Sequence, residues 1–409
     1  MATSGGAGRG RRWLGGASLG AAFLMANSSI GPGFLTQTTV FTQQLLTSFG
    51  FVILVSVVLD VGAQLNTWRI LTVSELRAQD LANRLLPGLG YGLAAMVILG
   101  GFAFNIGNIA GCGLGLNVLL GLSYQQGAVL SCGVALVLFW VREVGRMLDG
   151  FTKVLGTVKI LLTLGIAFSA HPPLLQALRH TVLPASLSAA AIVTIVGGTV
   201  GGYITFSGAH RLLDAGIKGL GQQATVTRSA VSGIVISTIM RFVLFLAIVG
   251  VLRHGAVLDA DNPAAGVFRA AAGEAGFRIF GVILWSAAIS SVVGAAYTSV
   301  SFFKTFHPAL ARYERACISV FILLSTGVFV AVGKPAQLLL VAGALNGLIL
   351  PVALGIVLVA ATRPRLMGSY RHPRWMLAVG WVVVLVMGAL SVPVLVQQLG
   401  ALLSGAGPR

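Results

Sequence analysis

The chain has 409 residues, 56% of them hydrophobic and 9% charged, with a mean hydropathy of +0.93. No water-soluble globular domain has that balance. A net charge of +17 would suggest nucleic acid in a soluble protein. Here the Lys and Arg fall in alternate loops between apolar runs, so the implied partner is the lipid bilayer and no nucleic acid is expected.

About 20 apolar residues span a bilayer as a helix, and such runs recur from end to end. Eleven spans are expected, near 13–43 (broken), 48–68, 91–121, 126–141, 152–170, 185–207 (broken), 224–252, 277–303, 315–333, 336–361 and 374–402. The longest polar connections are about 69–90 and 253–276. Of the 27 Lys and Arg, nineteen fall in loops on one side and six on the other, with Lys159 and Arg241 inside spans. The positive-inside rule then puts the N-terminus in the cytoplasm and the C-terminus outside, in a multi-pass protein of the cell membrane. Arg9, Arg11 and Arg12 before an apolar run look like the start of a signal peptide. The polar, Gly/Pro-interrupted segment that follows is a poor cleavage site and a good first helix of a transporter.

The first span contains LGAAFLMANSSIGPGFLTQT, residues 19–38. Gly31-Pro32-Gly33 cannot stay comfortably helical, because Pro removes an amide donor and clashes with the preceding turn. In a bilayer such a break survives only where the freed backbone faces protein or a water-lined cavity. Hydroxyls and amides surround it at Asn27, Ser28, Ser29, Thr36 and Gln37. In the second span Asp60 is an expensive charge, either functional or paired with Arg69 near the end of the span. Asn105 and Asn108 in the third lie three apart on one helical face, lining a polar pathway or bonding between helices. Asn117 reads as structural. Lys159 in the fifth is expected to snorkel.

The sixth span is interrupted by Gly197, Gly198, Gly201 and Gly202, with Thr199, Tyr203, Thr205 and Ser207 around them. The plain reading of glycines four apart, here and at Gly107 and Gly111, is close helix packing. Two broken spans one repeat apart favour more: an all-α, five-plus-five inverted repeat whose unwound segments meet near the midplane and bind substrate. Arg241 in the seventh span snorkels, pairs with Asp60, or is the counter-charge of an anionic substrate. Cys112, Cys132 and Cys317 lie in apolar runs and read as small core residues. There is no P-loop, no intramembrane His pair and no Ser-His-Asp constellation, so neither an enzyme nor an ATP-driven pump is expected, and no cofactor.

Four stretches, in order and spacing, resemble the NRAMP family of divalent metal transporters: LGAAFLMANSSIGPGF; FGFVILVSVVLDVGAQLNTWRI with RAQDLANRL; AFNIGNIAGCGLGLNVLLGLS; and VGGTVGGYITFSGAH. The resemblance implies a LeuT-like inverted-repeat fold of about 11 transmembrane helices. It also implies alternating access and metal-ion uptake driven by protons; for this chain the coupling ion stays open between H+ and Na+. One transmembrane domain, 1–409, would hold repeat one at about 13–170, repeat two at about 185–361 and an extra helix at about 374–402. Its substrate site would take in Ser28, Ser29, Gly31, Pro32, Gly33, Gln37, Thr199, Gly201, Gly202 and Tyr203, with Asn105, Asn108, Asp60 and Arg241 along the pathway.

The departures are specific. The family's metal-binding Asp falls at Gly31 and its Asn at Phe34. Its Met-Pro-His falls at Gly201, Gly202 and Tyr203, and its third-helix acids fall at Asn105 and Asn108. Each change removes a charge, a metal ligand or a titratable group, so the identity of any metal ligands stays open and proton coupling is expected to be weak or absent. Neutral oxygens could hold a hydrated magnesium ion or a monovalent cation. With no carboxylate at the breaks, the alternative is a small organic solute such as a carboxylate, held on helix N-termini.

Overall fold

In the computed structural model residues 30–307 and 309–404 are described, and among them all regular structure is helical. Pro32 and Gly201 stand at helix starts, whereas Pro351 and Pro393 lie inside helices. Helix α1 (Pro32–Leu45) begins at the first break, with Gly31 at its N-cap and Pro32 at its first position, where a missing N–H costs no hydrogen bond. Leu46, with φ of 46°, turns the chain into α2 (Phe49–Ser74). The polar connection expected at 69–90 carries a short helix, α3 (Ala78–Leu85), whose first amide donates to His210 Nε2 at 3.1 Å.

The next elements are α4 (Leu89–Leu120) and α5 (Tyr124–Trp140), the latter opened by a Ser123–Gln126 capping box. Then come α6 (Arg142–Ser169) and α7 (Leu174–Val182), with a bend of 107° between them. The sixth span is two helices, α8 (Ala189–Val200) and α9 (Gly202–Asp214), parted at Gly201. After them come α10 (Gln223–Arg253), α11 (Pro263–Phe303), α12 (Glu314–Val332), α13 (Pro335–Ala361) and α14 (Arg374–Ser404).

One boundary differs from expectation. The eighth span, placed at 277–303, belongs to a helix that starts at Pro263, so the 253–276 connection is largely helical. Asn262 caps it and Pro263 occupies the first position, a pair of start signals that the charged stretch around Arg269 and Glu274 obscures. The helix bends at Ala272 and Gly273, where the Gly φ of 62° breaks the ladder.

Among the described residues eight helical runs are long and apolar enough to cross a membrane, nine if the bent α6–α7 pair is one span. The apolar α5 is shorter, at 17 residues, and Pro32–Ser74 counts once although it turns at Leu46. Every expected interval overlaps a helix, the first through α1 alone. Asn27, Ser28 and Ser29 lie outside the described residues.

The interior is built around α4, which packs along α11. The glycines of α4 allow this approach. A Cβ on Gly101 would strike Ser299, one on Gly115 would lie 2.7 Å from Trp285, and one on Gly111 would strike Pro32. Gly197 of α8 sits against the backbone of Gly343 and Gly347 in α13. These glycines therefore do the packing work that their spacing suggests. Cys112 and Cys132 are buried, Cys317 is partly buried, and all three are free.

At the end bearing most of the basic residues, a polar network ties α2 and α10 to the segment before α14. Asn66 Oδ1 meets His372 Nε2 at 2.8 Å, and His372 Nδ1 meets the Tyr370 hydroxyl at 3.1 Å. Arg69 donates to the same hydroxyl and to Thr227 Oγ1, at 3.3 and 2.8 Å.

Candidate substrate site at the two helix breaks

The two breaks present the same local chemistry. At the first, Gly31 is extended and its carbonyl accepts from Leu35. At the second, Gly201 is extended and its carbonyl accepts from Ile204. Among the described residues no side chain caps either α1 or α9, which leaves first-turn amides at both N-termini without a side-chain acceptor there. The α8 carbonyl at Val200 is satisfied across the break by Thr205 Oγ1, at 2.6 Å.

Aromatic rings join the two. A Cβ on Gly33 would lie 3.9 Å from the ring of Phe104 in α4, and that ring stands 5.3 Å from Tyr203, in the first turn of α9. Phe104 thus separates the two helix starts. Among the described residues, a Cβ on Gly31 would meet only Ser291 Oγ, at 3.6 Å.

Among the described residues, three buried charges lie within the spans. Lys159 is 2% exposed, and its Nζ donates to the Ile30 carbonyl at 2.9 Å. It does not snorkel as expected, because that carbonyl, freed by the break next to it, offers an acceptor in the interior. Arg241 is 4% exposed; its Nη1 donates to Thr199 Oγ1 at 3.2 Å, and its Cζ lies 4.4 Å from the Phe34 ring centroid. One guanidinium thereby touches the last turn of α8 and the first turn of α1. Its Nε has no hydrogen-bond partner.

Asp60, 2% exposed, does not pair with Arg69, which is engaged with Tyr370 and Thr227. The charge acting on Asp60 is Arg241, although no ion pair within 4.0 Å joins them, and Asp60 Oδ1 has no hydrogen-bond partner.

The remaining expected residues separate into site and scaffold. Thr199, Gly31, Pro32, Gly33, Gly201, Gly202 and Tyr203 all lie at the breaks. Gln37 is one turn further along α1; its Nε2 donates to the Leu339 carbonyl at 2.8 Å, and Gly198 leaves space for its amide, whose Oε1 is unpartnered. Asn105 donates to Ser325 of α12 at 3.1 Å, a bond between helices. Asn108 is buried on the same helix.

Sequence reading missed Phe104 and Asn346. Asn346 donates to the Gly100 carbonyl at 2.9 Å, and its Cβ is 2.7 Å from where a Gly201 Cβ would stand. A lone amide in a long apolar run was the available signal for Asn346. Phe104, one aromatic among 21 Phe, had none.

The profile of the natural resistance-associated macrophage protein-like family matches residues 22–397. The chain belongs to the Nramp family. It is therefore a membrane transporter, and its relatives fall at two distances. An uncharacterized membrane protein of Bacillus subtilis, YcsG, is 55% identical over 94% of this chain and 96% of its own length. An uncharacterized membrane protein of Haemophilus influenzae is 51% identical over 95% and 98%. The divalent metal cation transporter MntH of Klebsiella pneumoniae is 26% identical over 71% of each chain.

Among solved structures, a manganese transporter mutant from Eremococcus coleocola superposes with a TM-score of 0.72 at 18% identity, covering 100% of this chain and 91% of that one. Mhp1, a nucleobase-cation-symport-1 family transporter, matches with a TM-score of 0.51 at 15% identity over 95% and 94%. The fold is thus the LeuT-like one, with its sixth span parted at Gly201. Within this Nramp fold the described residues hold no group of three or more His, Cys, Asp or Glu that could bind a metal.

Proposed function

We propose that this chain is a secondary transporter that moves a small solute by alternating access through a central site at the two breaks. The observation that supports this most directly is the convergence of the α1 and α9 N-termini about Phe104. Broken half-helices offer a solute amide donors at mid-membrane depth without exposing backbone to lipid. Two repeats, about 13–170 and 185–361, rock against one another within one transmembrane domain of residues 1–409, with 374–402 as an added helix. The basic loops and the N-terminus face the cytoplasm of a cell-membrane protein, and the C-terminus lies outside.

The names of the Klebsiella and Eremococcus relatives support a divalent cation as cargo. This chain's site is altered from such a role. Gly31, Gly201 and Tyr203 stand where the family resemblance implies Asp, Met and His. A dehydrated transition metal needs anionic oxygen, imidazole or sulfur. Gln37 Oε1, Thr199 Oγ1 and Asn346 Oδ1 are neutral oxygens that suit at most a hydrated hard ion. The same fold is compatible with organic ligands, since Mhp1 was solved with bromovinylhydantoin bound.

Alternating access is tested with Gly31→Cys and Tyr203→Cys, made singly in a chain stripped of Cys112, Cys132 and Cys317. Each is labelled in vesicles by an impermeant maleimide from one face at a time. Partial labelling from either face without steady conductance is expected. A position open to both faces together, with conductance, would overturn the reading in favour of a channel. The metal question is answered by Gly31→Asp combined with Tyr203→His: manganese uptake is expected in that double variant and not in the wild type.

A further inference from the structure

We infer that the solute is a small organic carboxylate, with Arg241 as its counter-charge. This rests on the transporter reading above and names its substrate class. Among the described residues the buried charges near the breaks are two cations, Lys159 and Arg241, against one carboxylate, Asp60. A formal excess of one positive charge inside a membrane is costly unless an anion joins it. A metal cation would add to the excess; a monoanion cancels it.

The two cations are also differently committed. Lys159 spends a donor on the Ile30 carbonyl and so shapes the break. Arg241 has one nitrogen on Thr199, none of its donors on a carboxylate, and an unpartnered Nε. Its plane is held against Phe34, the third residue of α1, so the guanidinium lies beside the amides of that first turn. A guanidinium fork and helix N-terminal amides are together complementary to the two oxygens of a carboxylate.

The surroundings select an organic anion over an inorganic one. Phe34, Phe104 and Tyr203 give the site aromatic walls, which favour a carbon skeleton. The Ser291 hydroxyl, 3.6 Å from where a Gly31 Cβ would stand, adds one polar group beside those walls.

The test uses the full-length protein in detergent and in liposomes. Acetate, lactate, benzoate and succinate are compared with chloride, sulfate, magnesium and manganese by thermal shift, then by uptake of labelled compounds. At least one monocarboxylate is expected to raise the melting temperature and to be taken up, while divalent metals do neither. Arg241→Gln is expected to weaken carboxylate binding about a hundredfold, the size of a lost buried charge pair. Arg241→Lys, which keeps the charge but not the fork, and Thr199→Val, which frees the guanidinium, should give smaller losses and cover the case in which Arg241→Gln fails to fold.

Stabilisation by manganese or magnesium with no response to any carboxylate would overturn the inference and leave the transporter reading standing. So would carboxylate binding unchanged in Arg241→Gln. Stabilisation by chloride or sulfate alone would also overturn it. Gly31→Cys or Tyr203→Cys open to both faces together, with steady conductance, would instead remove the alternating-access reading.

Discussion

Lys159 Nζ donates to the main-chain carbonyl of Ile30 at 2.9 Å, with both residues buried. The bond joins α6 to the residue just before Gly31. It satisfies a carbonyl that the broken helix cannot satisfy internally, and it gives the buried ammonium an acceptor.

Lys159→Met should therefore leave that carbonyl unpaired and loosen the break. The expected loss is about 1–3 kcal/mol, the cost of a buried unsatisfied acceptor. A lower melting temperature, with faster maleimide labelling of Gly31→Cys in the same background, checks it. An unchanged labelling rate would show that Lys159 does not hold the break.

The glycines at the breaks should separate by substitution. Among the described residues Gly31→Ala meets only Ser291 Oγ, at 3.6 Å, and it is expected to fold normally. Gly197→Ala runs into the Gly343 backbone, and Gly198→Ala into Gln37 Oε1. Overpacking of this kind costs roughly 1–3 kcal/mol. Thermal unfolding of the three variants gives the ranking; equal stability of all three would contradict the close packing of α8 on α13 and α1.

Asn105 and Asn108 do not titrate, and Asn105 is engaged with Ser325 at 3.1 Å. Proton co-transport through this helix is expected to be absent. A pH-sensitive dye inside liposomes should stay constant during solute uptake, and acidification in step with uptake would refute this. Asn105→Leu should lower stability by about 1 kcal/mol, one lost hydrogen bond, and leave substrate affinity unchanged.

His372 lies in the connection before α14, outside the spans. Burial, with the Arg69 charge nearby, pushes its pKa down from 6.5 to about 4. The folded chain thus keeps it neutral while the unfolded chain takes up a proton below pH 6.5. Its contribution to stability is complete above that pH and is lost as pH falls toward about 4. The melting temperature should drop between about pH 7 and pH 5, and His372→Gln should flatten the slope. A slope unaltered in the variant would place the acid sensitivity elsewhere.

Much of the architecture was legible because its signals are local. Apolar runs must be near 20 residues to span lipid, and Pro32 opens a helix while Gly201 parts two. Hence every expected interval overlaps a helix, and both breaks fall within the segments read as broken. The miss at Pro263 has a local cause too: charged residues beyond the apolar span hid a helix start that Asn262 and Pro263 spell out.

The site residues were legible only in part. Gly31 and Gly201 mark the breaks by themselves, but their neighbours come from far along the chain. Ile30 and Lys159 are 129 residues apart, and Thr199 and Arg241 are 42 apart. Phe104 carries no mark that distinguishes it from any lipid-facing Phe, yet its position between α1 and α9 makes it a wall of the site.

By itself the sequence determined that this protein is a bundle of membrane helices with two interruptions, and that the interruptions lack the charged and sulfur ligands its family resemblance implies. Composition, periodicity and the helix-breaking geometry of Pro and Gly suffice for that. Only the tertiary structure decided which buried charge faces which break. It turned Lys159 inward to a main-chain carbonyl, engaged Arg69 with Tyr370 and Thr227 in place of Asp60, and set Arg241 across Thr199 and Phe34. A buried ion takes whatever partner the packing of distant helices brings within reach.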